Sequence, residues 1–176
     1  MNIIIPMAGI GSRLRPHTLT VPKPLVPVAG KAIVQRLVED IAKVVNEPLE
    51  EIAFVIGPNE QFFGKEVQKN LLEVAAKLGA KGSINIQEEA LGTAHAIYMA
   101  KQALTGNVIV AFADTLFRAD FVLDASVDGT VWVKEVEDPR AFGVVQLDAN
   151  GIIEDFVEKP ENPQSNLAII GIYYFK

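Results

Sequence analysis

Apolar and polar positions along this chain follow two different periods. Short, largely unbroken apolar segments bounded by turn residues predict buried strands: NIIIP (2–6), EIAFVIG (51–57), SINIQEE (83–89) and NVIVAFAD (107–114), the last ending on the acid Asp114. Between them, apolar residues recur at helical spacing in AIVQRLVEDIAKVV (32–45), QFFGKEVQKNLLEVAAKLG (61–79) and TAHAIYMAKQAL (93–104), with Gly79 as the expected stop of the second. From residue 129 the helical period disappears. TVWVKEV (130–136), FGVVQLD (142–148), IIEDFVE (152–158) and LAIIGIYYF (167–175) are all strand-like, and three of the loops that join them contain Pro or Gly.

Alternating strands and helices place the chain in the α/β class, with a Rossmann-like, mostly parallel central sheet covered by helices on both faces. The C-terminal half is expected to extend that sheet in antiparallel or mixed fashion. No flexible linker divides the halves, so residues 1–176 are expected to form one domain, with parts of about 1–128 and about 129–176. The last strand-like run reaches Lys176 without a capping helix, and the expectation is that the C-terminal part is incomplete.

Composition narrows the setting. Cysteine is absent from the 176 residues, which removes disulfides and thiolate metal sites and is simplest to reconcile with a reducing cytoplasm. No apolar stretch reaches membrane-spanning length although 49% of residues are hydrophobic, so no membrane association is expected. A net charge of −6 argues against a nucleic-acid partner, because phosphate-backbone affinity depends on clustered Lys and Arg. The charge is unevenly spread. Residues 1–38 hold Arg13, Arg15, Lys23, Lys31 and Arg36 with no Asp or Glu, so all 22 acidic side chains lie farther along.

Most of that basic character falls in MAGIGSRLRPHTLTVPKP (7–24). A glycine-rich turn after a buried first strand lets backbone N–H groups approach an anion, and open sheets hold ligands at the carboxyl ends of their strands. A dinucleotide fingerprint would need a third glycine where Leu14 stands and an acid about twenty positions on, where residues 29–35 offer none. A Walker A loop would need Gly-Lys-Ser/Thr, which GIGSRLRP lacks. The remaining combination is glycines for close approach, the Ser12 hydroxyl, Arg13 for a forked grip on phosphate, and Lys23 between two prolines as a point charge. It suits a triphosphate tail; the alternative is a structural turn whose basic side chains are solvated.

These residues carry a resemblance. MAGIGSRLRPHTLTVPKPLVPVAGKAI resembles the signature of the sugar-1-phosphate nucleotidyltransferases, glucose-1-phosphate thymidylyltransferases among them, in which a G-x-G-[ST]-R-L-x-P loop precedes K-P and a short helix. Almost the whole chain follows suit: QEEALGTAHAI (87–97) is similar to the nucleobase segment, FADTLF (112–117) to the metal-binding segment, FGVV (142–145) to a sugar-binding strand, and VEKP (157–160) to the E-K-P element. The family's second metal-binding aspartate would lie in a strand beyond residue 176.

The resemblance implies transfer of a nucleotidyl group from a nucleoside triphosphate to a sugar 1-phosphate, with pyrophosphate released and Mg²⁺ as cofactor. It makes Arg13, Lys23 and Asp114 the catalytic candidates, Asp114 being the metal ligand. Gly9, Gly11, Ser12, Arg13, Lys23, Gln87, Gly92 and Thr93 become nucleotide-binding candidates, and Gly143, Glu158 and Lys159 sugar-phosphate-binding ones. The sugar phosphate is already anionic, so no general base is required, in keeping with only two histidines, His17 and His95, expected in a loop and a helix.

The implied substrates are dTTP and glucose 1-phosphate, with UTP- and GTP-specific transfer as alternatives. A catalytically silent binding or regulatory domain of the same fold is the competing class, and the presence of Arg13, Lys23, Asp114 and Lys159 argues for the enzyme. With one metal ligand missing, the 176-residue form is expected to turn over poorly. The apolar terminal run LAIIGIYYF leaves a sheet edge suited to homo-oligomers.

Overall fold

The computed structural model describes residues 1–9, 11, 14–118 and 122–176. Strand β1 (Asn2–Pro6) is buried along its whole length. The loop after it leads through a 3-10 turn at Lys23–Leu25 to a two-strand hairpin, β2 (Pro27–Val28) and β3 (Lys31–Ala32). Ala29 and Gly30 form its turn with φ of 47° and 81°, the left-handed geometry that tight hairpins require. Helix α1 (Ile33–Val44) turns Ile33, Val34, Leu37, Val38, Ile41 and Val44 inward, as its spacing predicts.

Strand β4 (Glu51–Ile56) follows, then α2 (Glu60–Phe63) and α3 (Lys65–Lys77). The continuous helix expected over 61–79 is thus divided. Gly64 stands between the two pieces with extended ψ of 174°, and a Cβ there would come within 2.8 Å of the Glu60 carbonyl, so the break depends on glycine. Asn59 Oδ1 caps α2 by accepting from the Gln61 N–H at 2.9 Å. Strand β5 (Lys81–Ile86), helix α4 (Thr93–Met99) and strand β6 (Val108–Ala111) complete the first half, α4 ending in a 3-10 turn at Lys101–Ala103. The second half consists of β7 (Gly129–Glu135), β8 (Gly143–Leu147), β9 (Ile153–Glu158) and β10 (Leu167–Phe175).

The strands other than β2 and β3 form one eight-stranded sheet in the order β5-β4-β1-β6-β10-β8-β9, with β7 also paired to β10, so LAIIGIYYF, expected to leave a sheet edge, is instead paired with β6, β7 and β8. The pairs among β5, β4, β1 and β6 are parallel and all pairs made by β10 and β8 are antiparallel, in line with the α/β reading and its extension. Side chains alternate between two apolar layers, as the two-residue period of a strand demands. Ile3, Ile5, Ile52 and Phe54 join the larger core with α1 and α3, whereas Ile4, Ala53, Val55, Val108 and Val110 meet the alanines of α4 and its 3-10 turn. Among the described residues no helix is long and apolar enough to cross a membrane.

The order decides where a ligand can sit. From β1 the chain runs outward through β4 to β5 and then returns to place β6 on the other side of β1. Loops that leave neighbouring parallel strands in opposite directions open a crevice at the carboxyl ends of those strands.

Candidate functional site

The loops after β1, β4, β5 and β6 all line one cleft of about 1160 Å³, joined by β10 and the Phe142 and Glu158 segments from the antiparallel half. Met7 continues the register of β1, its N–H donating to the Val55 carbonyl at 2.8 Å, and delivers Ala8 and Gly9 to the cleft wall. Gly11 lies farther along the loop with φ of 71°, and a Cβ there would come within 2.6 Å of the Lys23 Cβ. The loop therefore lies directly on the base of Lys23. Buried Thr18 fixes it from beneath, its Oγ1 donating to the Gly11 carbonyl at 2.8 Å. Ser12 and Arg13, both expected to meet the triphosphate, lie outside the described residues.

Lys23 opens its 3-10 turn between Pro22 and the buried Pro24, which fixes the backbone that carries it. Its Nζ lies 3.1 Å from Asp114 Oδ2. Of the other basic residues near the amino end, Lys31 pairs with Glu39 at 2.7 Å, and the Arg36 guanidinium donates to the Val28 and Ala29 carbonyls at 2.7 and 2.8 Å. The latter two hold the β2-β3 hairpin and α1 together and do not line the cleft.

Asp114 was expected at the end of a strand, but β6 stops three residues earlier. At Phe112 the backbone turns to β10 instead, donating its N–H to the Gly171 carbonyl at 2.9 Å, while Thr115 Oγ1 donates to the Ile170 carbonyl at 2.7 Å. Gly171 permits this with φ of 80°, since a Cβ would crowd Phe112 Cδ2 at 3.1 Å. The resulting turn projects Asp114 into the cleft with its side chain 55% exposed.

Gln87 follows β5, its N–H bound to the Ile56 carbonyl at 2.8 Å, and is buried at 7% exposure. Its amide is not free on all sides. Nε2 donates to the Gly92 carbonyl at 3.1 Å and lies 3.1 Å from His95 Nδ1, which fixes the flip, because a carbonyl oxygen can only accept. Gly92 turns the chain into α4 with φ of 97°, and Gln87, Gly92 and Thr93 all line the cleft.

In the antiparallel half, Gly143 pairs with Glu158 across β8 and β9, and a Cβ on Gly143 would stand 2.9 Å from Glu158 Oε2. The missing side chain makes room for that carboxylate, which reaches the cleft and faces Tyr173 of β10. Burial, and behind it the Glu158 charge, pushes the Tyr173 phenol above its ordinary range. Gly143 and Lys159 are not among the cleft-lining residues; Lys159 adopts φ of 44° and turns its Nζ to Glu158 Oε1 at 3.0 Å. Lys134, Phe112, Phe142 and Thr115 do line it and were not singled out from the sequence. Lys134 had no distinguishing signal, being one lysine in an alternating strand.

The family model described as Nucleotidyl transferase matches residues 2–176. The chain belongs to that family. Among curated nucleotidyl transferase relatives, it is 33% identical to the low-salt glycan biosynthesis nucleotidyltransferase Agl11 of Haloferax volcanii, across 99% of this chain and 49% of that protein. It is 35% identical to the bifunctional protein GlmU of Methanocaldococcus jannaschii (99% and 40%). A third relative, the mannose-1-phosphate guanylyltransferase catalytic subunit beta of Drosophila melanogaster, is 33% identical (98% and 47%). The chain thus spans less than half the length of these curated relatives. Among solved structures, one assigned as a glucose-1-phosphate thymidylyltransferase of Bacillus anthracis superposes with a TM-score of 0.81 at 25% identity, covering 99% of this chain and 70% of that one. A UDP-glucose pyrophosphorylase complexed with UDP-glucose gives 0.77 at 26% identity, covering 99% and 75%.

Proposed function

We propose that this chain binds a nucleoside triphosphate and a sugar 1-phosphate in the one cleft and transfers the nucleotidyl group between them. The single observation that carries the reading is the Lys23–Asp114 pair at 3.1 Å inside a cleft built from the ends of all the parallel strands. Family membership supports the same chemistry.

A phosphate oxygen of the sugar 1-phosphate attacks the α-phosphorus in line, forming one P–O bond as the bond to the β-phosphate oxygen breaks and pyrophosphate leaves. No proton need move. The protein's part is to position two polyanions and offset the charge that develops on the leaving group. Gly9 and Gly11 offer backbone N–H groups to the triphosphate, with Ser12 and Arg13 as their partners, and Lys23 supplies charge at its far end. Gln87, Gly92 and Thr93 form the wall for the base, and Glu158 accepts from sugar hydroxyls.

Asp114 fits Mg²⁺ as a hard, half-exposed oxygen donor, although no cluster of three acidic or histidine side chains surrounds it among the described residues. That matches an ion that draws most of its ligands from substrate phosphates and water. When bound, Mg²⁺ would supply positive charge that offsets the charge of the phosphates.

The most specific form of the proposal is dTTP with glucose 1-phosphate, supported by the thymidylyltransferase superposition; UTP is the nearest competitor, supported by the pyrophosphorylase. Thermal shift with Mg²⁺ and each of dTTP, UTP, GTP and CTP tests it. A ligand at about 100 times its Kd stabilises the folded state by roughly 2.7 kcal/mol, so the preferred nucleotide gives the largest rise in Tm. Stabilisation by a nicotinamide dinucleotide and by none of the four triphosphates would overturn the reading.

A further inference from the structure

The turn between β8 and β9 places Asn150 before Gly151, and every other asparagine of the chain is followed by a larger residue. Asparagine before glycine is a chemically labile pair. With no side chain on the second residue, its backbone nitrogen can reach the asparagine carboxamide carbon and close a five-membered ring. Asn150 and Gly151 are both exposed, and a Cβ built on Gly151 would meet nothing within 4 Å, so the approach is open.

One residue holds both reacting groups. Asp148 Oδ1 accepts from the Asn150 and Ile152 N–H groups at 2.8 Å each, and its Oδ2 accepts from Asn150 Nδ2 at 3.2 Å. The Asp148 backbone carbonyl accepts from the Gly151 N–H at 3.1 Å, while its own N–H donates to the Ile152 carbonyl at 2.8 Å and closes the turn. Hydrogen bonds from the Ile152 N–H, and then from Asn150, hold the Asp148 carboxyl below its ordinary range, so it is anionic near neutrality.

Each of these contacts opposes ring closure. The Gly151 nitrogen attacks only after losing its proton, and that proton is engaged with the Asp148 carbonyl. An anion beside the turn disfavours the negative charge that deprotonation puts on the nitrogen. Donation from Nδ2 to a carboxylate leaves the carboxamide carbon more electron-rich and anchors the group that must leave. A carboxylate can instead serve as a general base, but one held below the ordinary range is too weak a base for an amide proton.

We propose that Asn150 deamidates spontaneously in the folded protein, giving aspartate and isoaspartate, and that Asp148 sets the rate by restraining Asn150 and Gly151. The Gly151 nitrogen, its proton lost to a solvent base, bonds to Asn150 Cγ; the Cγ–Nδ2 bond breaks and the nitrogen leaves as ammonia with a proton from solvent. Water then opens the cyclic imide at either carbonyl, which returns the normal backbone or an isomer with one more methylene in it. Both products add a carboxylate to the turn and remove the donor to Asp148 Oδ2. Asp148, Asn150 and Gly151 do not line the cleft, so the reaction is independent of nucleotidyl transfer.

Peptide mapping by mass spectrometry follows Asn150 in the full chain held in mildly alkaline phosphate buffer, folded and unfolded in guanidinium chloride, for the wild type and Asp148→Ala. Enzymatic methylation of isoaspartate distinguishes the two products. The folded wild type is expected to convert Asn150 to both products about tenfold more slowly than the unfolded chain, and folded Asp148→Ala to recover most of that factor, the size of one lost hydrogen bond to a charged group. Unfolded, the two chains should react at rates within about twofold of each other, because the restraint exists only in the turn. Circular dichroism and Tm establish that the variant is folded; should Asp148→Ala unfold, Asp148→Ser, which keeps one acceptor for the turn, takes its place. No product at Asn150 in the folded wild type once the unfolded chain is fully converted, an equal rate folded and unfolded, or a folded variant that reacts no faster than the wild type would overturn the inference.

Discussion

Lys23 Nζ and Asp114 Oδ2 lie 3.1 Å apart although 91 residues separate them in sequence, one carried by the loop after β1 and the other by the turn after β6. Each partly neutralises the other, with side chains 27% and 55% exposed, so the pair contributes little to stability, and under the proposed function it exchanges with a ligand. A cation and an anion that face each other across the cleft can each turn to a group of opposite charge on an incoming Mg²⁺–nucleotide.

This exchange predicts opposite behaviour for the two partners. Lys23→Met should weaken triphosphate binding by about 10- to 100-fold, the range expected for a lost charged contact. Asp114→Asn should raise affinity for metal-free nucleotide and abolish the gain on adding Mg²⁺. Titration with dTTP, with and without Mg²⁺, measures both, and parallel losses in the two variants would make the pair merely structural.

Gly11→Ala is expected to cost about 1–3 kcal/mol through its positive φ. It should also displace Lys23, since the new Cβ would sit 2.6 Å from the Lys23 Cβ. Thr18→Val should cost about 1 kcal/mol by removing one of the two donors to the Gly11 carbonyl, the Leu14 N–H at 3.0 Å remaining, while disturbing the cleft less. Urea denaturation gives the stabilities, and dTTP affinity should fall more in Gly11→Ala than in Thr18→Val.

His95 acts on the cleft through Gln87. With Nε2 occupied by the Gly92 carbonyl and His95 Nδ1, Gln87 can offer the cleft only its carbonyl oxygen, an acceptor suited to the N3–H of thymine or uracil. His95→Ala leaves one Nε2 hydrogen of Gln87 free to donate into the cleft, and the ratio of dTTP to dCTP stabilisation in a thermal-shift assay should fall severalfold. An unchanged ratio would mean that the Gly92 carbonyl alone holds the amide.

Asp138 supplies a pH signature outside the cleft. Hydrogen bonds from the Arg140 side chain, and then from its backbone N–H, lower the Asp138 carboxyl from 3.8 to about 2. They also fix the turn that leads to Phe142. A depressed folded-state pKa gives stability that is present above 3.8 and lost as pH falls toward about 2. The stability difference between wild type and Arg140→Gln should therefore be constant near neutrality and shrink across that acid window, as read from denaturant midpoints. A difference that persisted at the acid end would assign it to lost packing instead.

The alternation of buried runs and amphipathic spacing determined the α/β class, the position of α1 and the change to antiparallel strands after residue 129, because burial period is a local property of sequence. The loop's residue types singled out the glycine loop and Lys23 as site candidates, and the family resemblance added Asp114. It could not divide the helix at Gly64, where the deciding contact is with the Glu60 carbonyl, nor stop β6 at Ala111, where the deciding partner is Gly171, 60 positions away. Nor could it separate Lys134 from Lys159. Both are lysines in or just after a strand, and the pairing of β7 with β10 sets one along the cleft, whereas the other meets Glu158, its own neighbour in sequence. Strand order is a long-range choice that minimises exposed apolar area over the whole sheet, so the identity of the charged groups was written in the sequence while their convergence belonged to the tertiary structure.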